Sequence, residues 1–112
     1  METDKLNRYR NILRTVFAEY SEWSTGDGVI AEMIEDPKRD HFEVIRFGWD
    51  KSRRIHGTIL HADIINGKIW IQYDSTNRPL AEELVAAGVP KDEIVLGYKS
   101  ERIWPYTGCG IG

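Results

Sequence analysis

The sequence predicts an α+β domain: an antiparallel β-meander of four or five strands, with an N-terminal amphipathic helix and a second short helix packed on the sheet. Three observations carry that expectation. Asn66-Gly67 lies between two long runs rich in β-branched and aromatic residues. Such a pair signals a two-residue hairpin, because a type I′ turn needs positive φ at both central positions. Ahead of Tyr20, apolar residues recur at three- and four-residue spacing, the period of a half-buried helix. Near the C-terminus, Pro79 and Gly88 bracket a third periodic stretch in the order expected for a helix start and stop.

Taken in order, residues from about Asp4 to Tyr20 form the first helix. Leu6, Tyr9, Ile12, Leu13, Val16, Phe17 and Tyr20 make its apolar stripe. Thr3 or Asp4 serves as N-cap, and Lys5, Arg8, Arg10 and Arg14 face water. Ser21 to Gly28 reads as loop. Val29 to Glu35 is a short strand and His41 to Trp49 a longer one, separated by a turn at Asp36-Pro37-Lys38-Arg39-Asp40. Apolar residues on both faces of His41 to Trp49 mark it as a central strand. Asp50-Lys51-Ser52 turns the chain into a long strand from Arg53 to Ile65.

The two-residue loop fixes the hairpin register. Ile65 faces Lys68, Ile64 faces Ile69, Asp63 faces Trp70, Ala62 faces Ile71, His61 faces Gln72 and Leu60 faces Tyr73. Alternation then gathers Leu60, Ala62, Ile64, Ile69, Ile71 and Tyr73 on an apolar face. His61, Asp63, Ile65, Lys68, Trp70, Gln72 and Asp74 fall on the other. Beyond Asp74, Asn77 is the expected N-cap of the second helix, with Leu80, Leu84 and Val85 as its stripe and Gly88 as its left-handed terminus. Ile94-Val95-Leu96 is either a last short strand or a segment tucked under the sheet. The tail carries Trp104 and Tyr106 as aromatic anchors, and its glycine-rich end is expected to be loose.

At 112 residues the chain is a single domain, 1–112, large enough for one core without metal or disulfide staples. A net charge of −3 argues against an autonomous DNA binder, which normally carries a basic footprint. The single cysteine, Cys109, excludes an internal disulfide and a thiolate metal site. Neither a membrane-length apolar run nor a signal-peptide core occurs, so a cytoplasmic protein is expected. A parallel nucleotide-binding sheet would need helical crossovers that this element order lacks. Phosphate-loop and nucleophile-elbow patterns are missing, and no cofactor is expected.

Three groups of residues are candidates for chemistry. His61 and Asp63, at i and i+2 on one strand, point the same way and form a polar site on the sheet face. No third ligand is evident, although His41 and His56 exist elsewhere, so no metal is assigned, and an ordinary cross-strand polar pair explains the same residues. His56 is expected on the opposite face from His61. A metal-dependent nuclease would have to use Asp63, His61 and Asp74, with Lys68 nearby, but the residue two before Lys68 is the neutral turn residue Asn66, not the Asp or Glu of an acidic-x-Lys motif. Arg39, Arg46, Trp49, Lys51, Arg53 and Arg54, together with Lys38, form the one local basic excess and are candidates for nucleic-acid or partner contact. Asp36, Asp40, Glu43 and Asp50 interleave with them and cancel much of the field. Gly57, inside a strand, permits a bulge or a close backbone approach. Four tryptophans exceed what so small a core hides, so some belong at an interface, with Trp49 or Trp70 expected to pack inside.

Beyond these local patterns the chain resembles the XisI family. The matching passages are Asp4 to Arg10, Arg39 to Phe42, Phe47-Gly48-Trp49, Arg53 to Gly57, Leu60 to Ile64, Gly67 to Gln72, Ala81 to Val85 and Gly88 to Gly97. They occur in order along nearly the whole chain and are weakest at Gly26 to Asp36 and after Tyr98. Family members are associated with control of excision of the fdxN DNA element of cyanobacteria, where a separate recombinase cuts and rejoins the DNA. XisI-like proteins also occur beyond that element, where a toxin–antitoxin-like pairing with a XisH-like partner is an alternative role. The resemblance implies a non-catalytic accessory or regulatory protein acting through a protein partner, a nuclease-like XisH companion. It brings no catalytic residues. DNA contact is expected to be indirect, and self-association stays open. A metal-dependent nuclease and a direct DNA binder are the alternatives.

Overall fold

The computed structural model describes residues 2–112, with side chains from Asp4 onward. The element order is α1 (Glu2–Ser24), β1 (Val29–Asp36), β2 (His41–Asp50), β3 (Arg53–Ile65), β4 (Lys68–Asp74), α2 (Leu80–Ala86) and β5 (Ile94–Leu96), with single 3₁₀ turns at Lys91–Glu93 and Trp104–Tyr106. The five strands form one open sheet in the order β1-β2-β3-β4-β5. The first four are antiparallel, and β5 runs parallel to β4 after the α2 crossover. The architecture is the α+β one expected, with Ile94-Val95-Leu96 taking the strand alternative, but this fifth strand departs from the antiparallel meander because α2 serves as a crossover and returns the chain parallel to β4.

Helix α1 lies over β1 and β2, and α2 over β4, on the same face of the sheet. Tyr9, Leu13, Val16, Phe17 and Tyr20 of α1 are buried against Phe42, Val44, Leu60, Ala62, Ile64, Ile69 and Ile71. Phe17 meets Phe42 edge-on at 6.4 Å. Two bidentate arginines tie α1 to the β1–β2 end of the sheet. Arg10 binds Asp40 at 2.7 and 3.0 Å, and Arg14 binds Glu35 at 2.9 and 2.7 Å. These side chains were expected in water; planar guanidinium forks instead find carboxylates across the interface.

Other expectations need correction. The helix begins at Glu2, so Thr3 and Asp4 lie inside it and neither is its cap. It also extends through Ser24, and in its last turns the Ser21 and Thr25 hydroxyls donate back to the carbonyls of Phe17 and Ser21 at 2.9 Å. Asn77 does not cap α2. That role falls to Asp74, whose carboxylate accepts from the Leu80 and Thr76 amides at 2.8 and 2.9 Å. Val85 is exposed rather than part of a buried stripe. The tail is anchored, not loose. Trp104 is buried with its indole N–H on the carbonyls of Leu96 and Lys99, and the Gly110 amide donates to Ile94 at 2.7 Å.

At the Asn66-Gly67 hairpin φ is +51° and +76°, as a type I′ turn demands. The expected register holds from Ile65–Lys68 to Ala62–Ile71. It then slips by one, so that His61 faces Tyr73 and Leu60 faces Asp74, with Gln72 as the extra residue. Tyr73 therefore leaves the apolar face for the exposed one, and Asp74 moves to the helix side. A second bulge, at Ile59, interrupts the β2–β3 ladder.

Candidate functional site

The face of the sheet turned away from the helices holds the candidate site. Uninterrupted pairing from the Lys51-Ser52 turn would set His41 opposite Ala62, on the wrong face for Asp63. The extra residue at Ile59 shifts the ladder by one and sets His41 opposite Asp63. His41 Nδ1 then lies 2.6 Å and His61 Nε2 2.8 Å from the same carboxylate oxygen, Asp63 Oδ1. Gln72 Nε2, placed by the β4 bulge, donates to Asp63 Oδ2 at 3.2 Å. Asp63 is 5% exposed, the one buried charged residue of the described chain. Its side-chain partners from basic residues, among the described residues, are these two imidazoles, with no lysine or arginine beside it.

One nitrogen from each histidine and one Asp63 oxygen lie within 4.8 Å of one another. The third donor that the sequence does not reveal is thus His41, 22 residues away from Asp63 in the chain. A one-residue slip in the β2–β3 register is needed to bring it round, and that bulge has no sequence mark. The same bulge overturns the expectation for His56, which comes to the same face as His61 although several residue pairs along the ladder from it. A cavity of about 290 Å³ opens beside the histidines, lined by Ile34, Asp36, His41, Glu43 and His61. Asp74 is not part of this cluster. It lies on the opposite face, engaged at the start of α2, so the set Asp63, His61 and Asp74 is not assembled.

Next to the cluster, β1 to β3 leave their outer surface uncovered. Ile30, Ile34 and Trp49 are 48%, 47% and 54% exposed, with Ile45 and Phe47 half-buried between them. Of Trp49 and Trp70, it is Trp70 that packs and Trp49 that stays exposed. Trp70 and Trp104 pack edge-on at 5.5 Å instead, because the tail folds over β4 and β5 and stops short of β2.

The basic residues do not form one patch. Lys51, Arg53, Arg54 and Trp49 gather at the β2–β3 turn, where Arg54 sits over the Trp49 ring at 5.4 Å. Arg39 is at the opposite end of β2 and is paired with Asp36 at 2.9 Å. Arg46 points to the helix side, opposite Ala31 and Gly57, with its Nε buried and unpartnered. It borders a cavity of about 380 Å³ together with Tyr20, Trp23 and Arg78. Gly57 has open space around it and hosts neither the bulge nor a close approach; Gly48 has the close approach. Among the described residues no helix is long and apolar enough to cross a membrane.

The model of a family described as XisI protein matches residues 3–111. A XisI-like protein from Anabaena variabilis ATCC 29413 is 35% identical and superposes with a TM-score of 0.88, over 96% of this chain and 99% of that one. The fdxN element excision controlling factor XisI from the same organism is 34% identical, with a TM-score of 0.81 over the same shares. No match is found among the curated proteins.

Proposed function

The chain belongs to the XisI family, and on that footing we propose that it is a non-catalytic accessory factor of the excision-controlling kind, acting by docking a XisH-like protein. The observation that carries this reading is the uncovered apolar surface of β1 to β3. One face of the sheet is closed by two helices and the end strands of the other by the tail, while Ile30, Ile34, Phe47 and Trp49 stay open to a partner. Exposed apolar surface with an aromatic and an arginine at its edge is the composition of a protein-binding patch. The scattered basic residues and the negative net charge support indirect rather than direct contact with DNA.

The test is co-expression with the XisH-like companion and measurement of the complex by co-purification and analytical ultracentrifugation. The parent chain forms a stable complex, and Ile34→Glu abolishes it while leaving thermal unfolding unchanged. A complex that survives Ile34→Glu and Trp49→Glu together, or that never forms at micromolar concentrations, refutes the reading. In a parallel DNA-binding assay, strong salt-dependent affinity lost in Lys51→Ala/Arg53→Ala/Arg54→Ala would move the contact to the DNA itself.

A further inference from the structure

We propose that His41, His61 and Asp63 bind a divalent transition-metal ion of the zinc class through His41 Nδ1, His61 Nε2 and an Asp63 carboxylate oxygen. A carboxylate withdrawn from water requires compensation by hydrogen bonds or a cation. Asp63 is 5% exposed and has no lysine or arginine partner among the described residues. Gln72 satisfies Oδ2, leaving Oδ1 with two imidazole nitrogens converging on it from different strands. Two imidazoles and one carboxylate are a donor set that suits zinc and its first-row neighbours and disfavours magnesium and calcium, which prefer all-oxygen shells.

The geometry is close to what such an ion needs. Nitrogen and oxygen donors at roughly 2.0–2.2 Å in a tetrahedron lie roughly 3.3 Å apart. The present separations of 2.6 and 2.8 Å to Oδ1 therefore widen by roughly 0.5–0.7 Å, while the two imidazole nitrogens, within 4.8 Å of each other, draw together, changes that side-chain rotations supply. In the metal-bound form each ring offers the lone pair of the nitrogen now facing Asp63 and carries its proton on the far nitrogen. Gln72 acts from behind as the group that orients the carboxylate.

The cavity of about 290 Å³ lined by Ile34, Asp36 and Glu43 as well as the two histidines lies beside the cluster and gives room for a fourth ligand. Asp36 and Glu43 are not free ligands. Asp36 is paired with Arg39, and Glu43 accepts the Thr58 hydroxyl. Three protein ligands with one open position is the arrangement that admits a water or a group from another molecule. This assignment does not rest on the docking of a XisH-like protein, and its test contains no partner.

The experiment uses the full chain freed of metal by dialysis against chelator, titrated with Zn²⁺ by calorimetry and with Co²⁺ by visible absorption. One Zn²⁺ binds per chain, Co²⁺ gives the intense d–d bands of a four-coordinate site, and the melting temperature rises with metal concentration. His41→Ala and His61→Ala each abolish the cobalt spectrum and the thermal shift. Gln72→Ala weakens zinc binding about tenfold without changing stoichiometry, and His56→Ala and Cys109→Ser bind as the parent does. Circular dichroism of the metal-free variants verifies their fold; should Asp63→Ala unfold, the exposed His41 variant still decides. Substoichiometric binding, or binding that persists in both histidine variants or is lost in Cys109→Ser, overturns the proposal.

Discussion

Gly48 and Gly57 lie two residue pairs apart in the β2–β3 ladder, and the structure gives them opposite tolerance for a side chain. At Gly48, φ is +145°, and a Cβ there would come within 2.2 Å of the Gly28 carbonyl oxygen and 2.9 Å of Val29 Cα. Both neighbours are backbone, and the same Gly28 oxygen accepts the Trp49 amide at 3.1 Å. Gly48→Ala therefore places a side chain in a sparsely populated region, costing about 1–3 kcal/mol. Displacing the Gly28 carbonyl adds about 1 kcal/mol for the weakened hydrogen bond. The sum of about 2–4 kcal/mol lowers the melting temperature by roughly 8–16 °C in a domain of this size. At Gly57 nothing lies within 4 Å of the added carbon and φ is outside the left-handed range. Gly57→Ala is then neutral, or stabilising by about 0.5 kcal/mol, through the lower entropy of the unfolded chain. Urea and thermal unfolding of the two variants side by side measure the contrast. Equal losses, or a Gly48→Ala protein melting within about 1 °C of the parent, would refute the close approach between the residue 26–28 loop and the end of β2.

The Tyr9 hydroxyl donates to Glu93, which Lys5 also contacts at 3.0 Å. These contacts hold the Glu93 carboxyl below its ordinary value, so it contributes stability above the unfolded carboxylate range that is lost as pH falls through the lowered folded value. Burial, reinforced by Glu93, pushes Tyr9 from 10.0 up to about 12, so a further contribution is complete below pH 10 and is lost as pH rises toward 12. Tyr9→Phe therefore flattens both limbs of the stability–pH curve in urea titrations and costs about 1 kcal/mol at neutral pH. Asp74→Ala removes the acceptor for the Leu80 and Thr76 amides, costing about 1–2 kcal/mol in denaturant melts while leaving zinc affinity unchanged, since this carboxylate lies across the sheet from His61. Trp104→Ala, which empties a buried site and leaves two carbonyls unpaired, costs about 3–5 kcal/mol in the same assay and shifts Trp70 fluorescence to the red as that ring becomes solvated.

What the amino-acid order determined by itself is local and periodic. The stripe from Leu6 to Tyr20 fixed which side of α1 is buried, and Asn66-Gly67 fixed the turn and the first four pairs of the hairpin. Those features depend on neighbours in the chain: side-chain spacing, positive φ, a two-residue loop. The outcome at the site rests on one-residue slips at Ile59 and Gln72, which sequence does not mark because each bulge is stabilised by how the strands twist and pack together. A slip of one residue exchanges the faces of everything beyond it. The Ile59 bulge brings His41 opposite Asp63, and the Gln72 bulge sends Tyr73 out and Asp74 to α2. His61 and Asp63 were legible as a pair because two residues of one strand suffice to place them. Their third neighbour belonged to another strand, and only the assembled sheet could supply it.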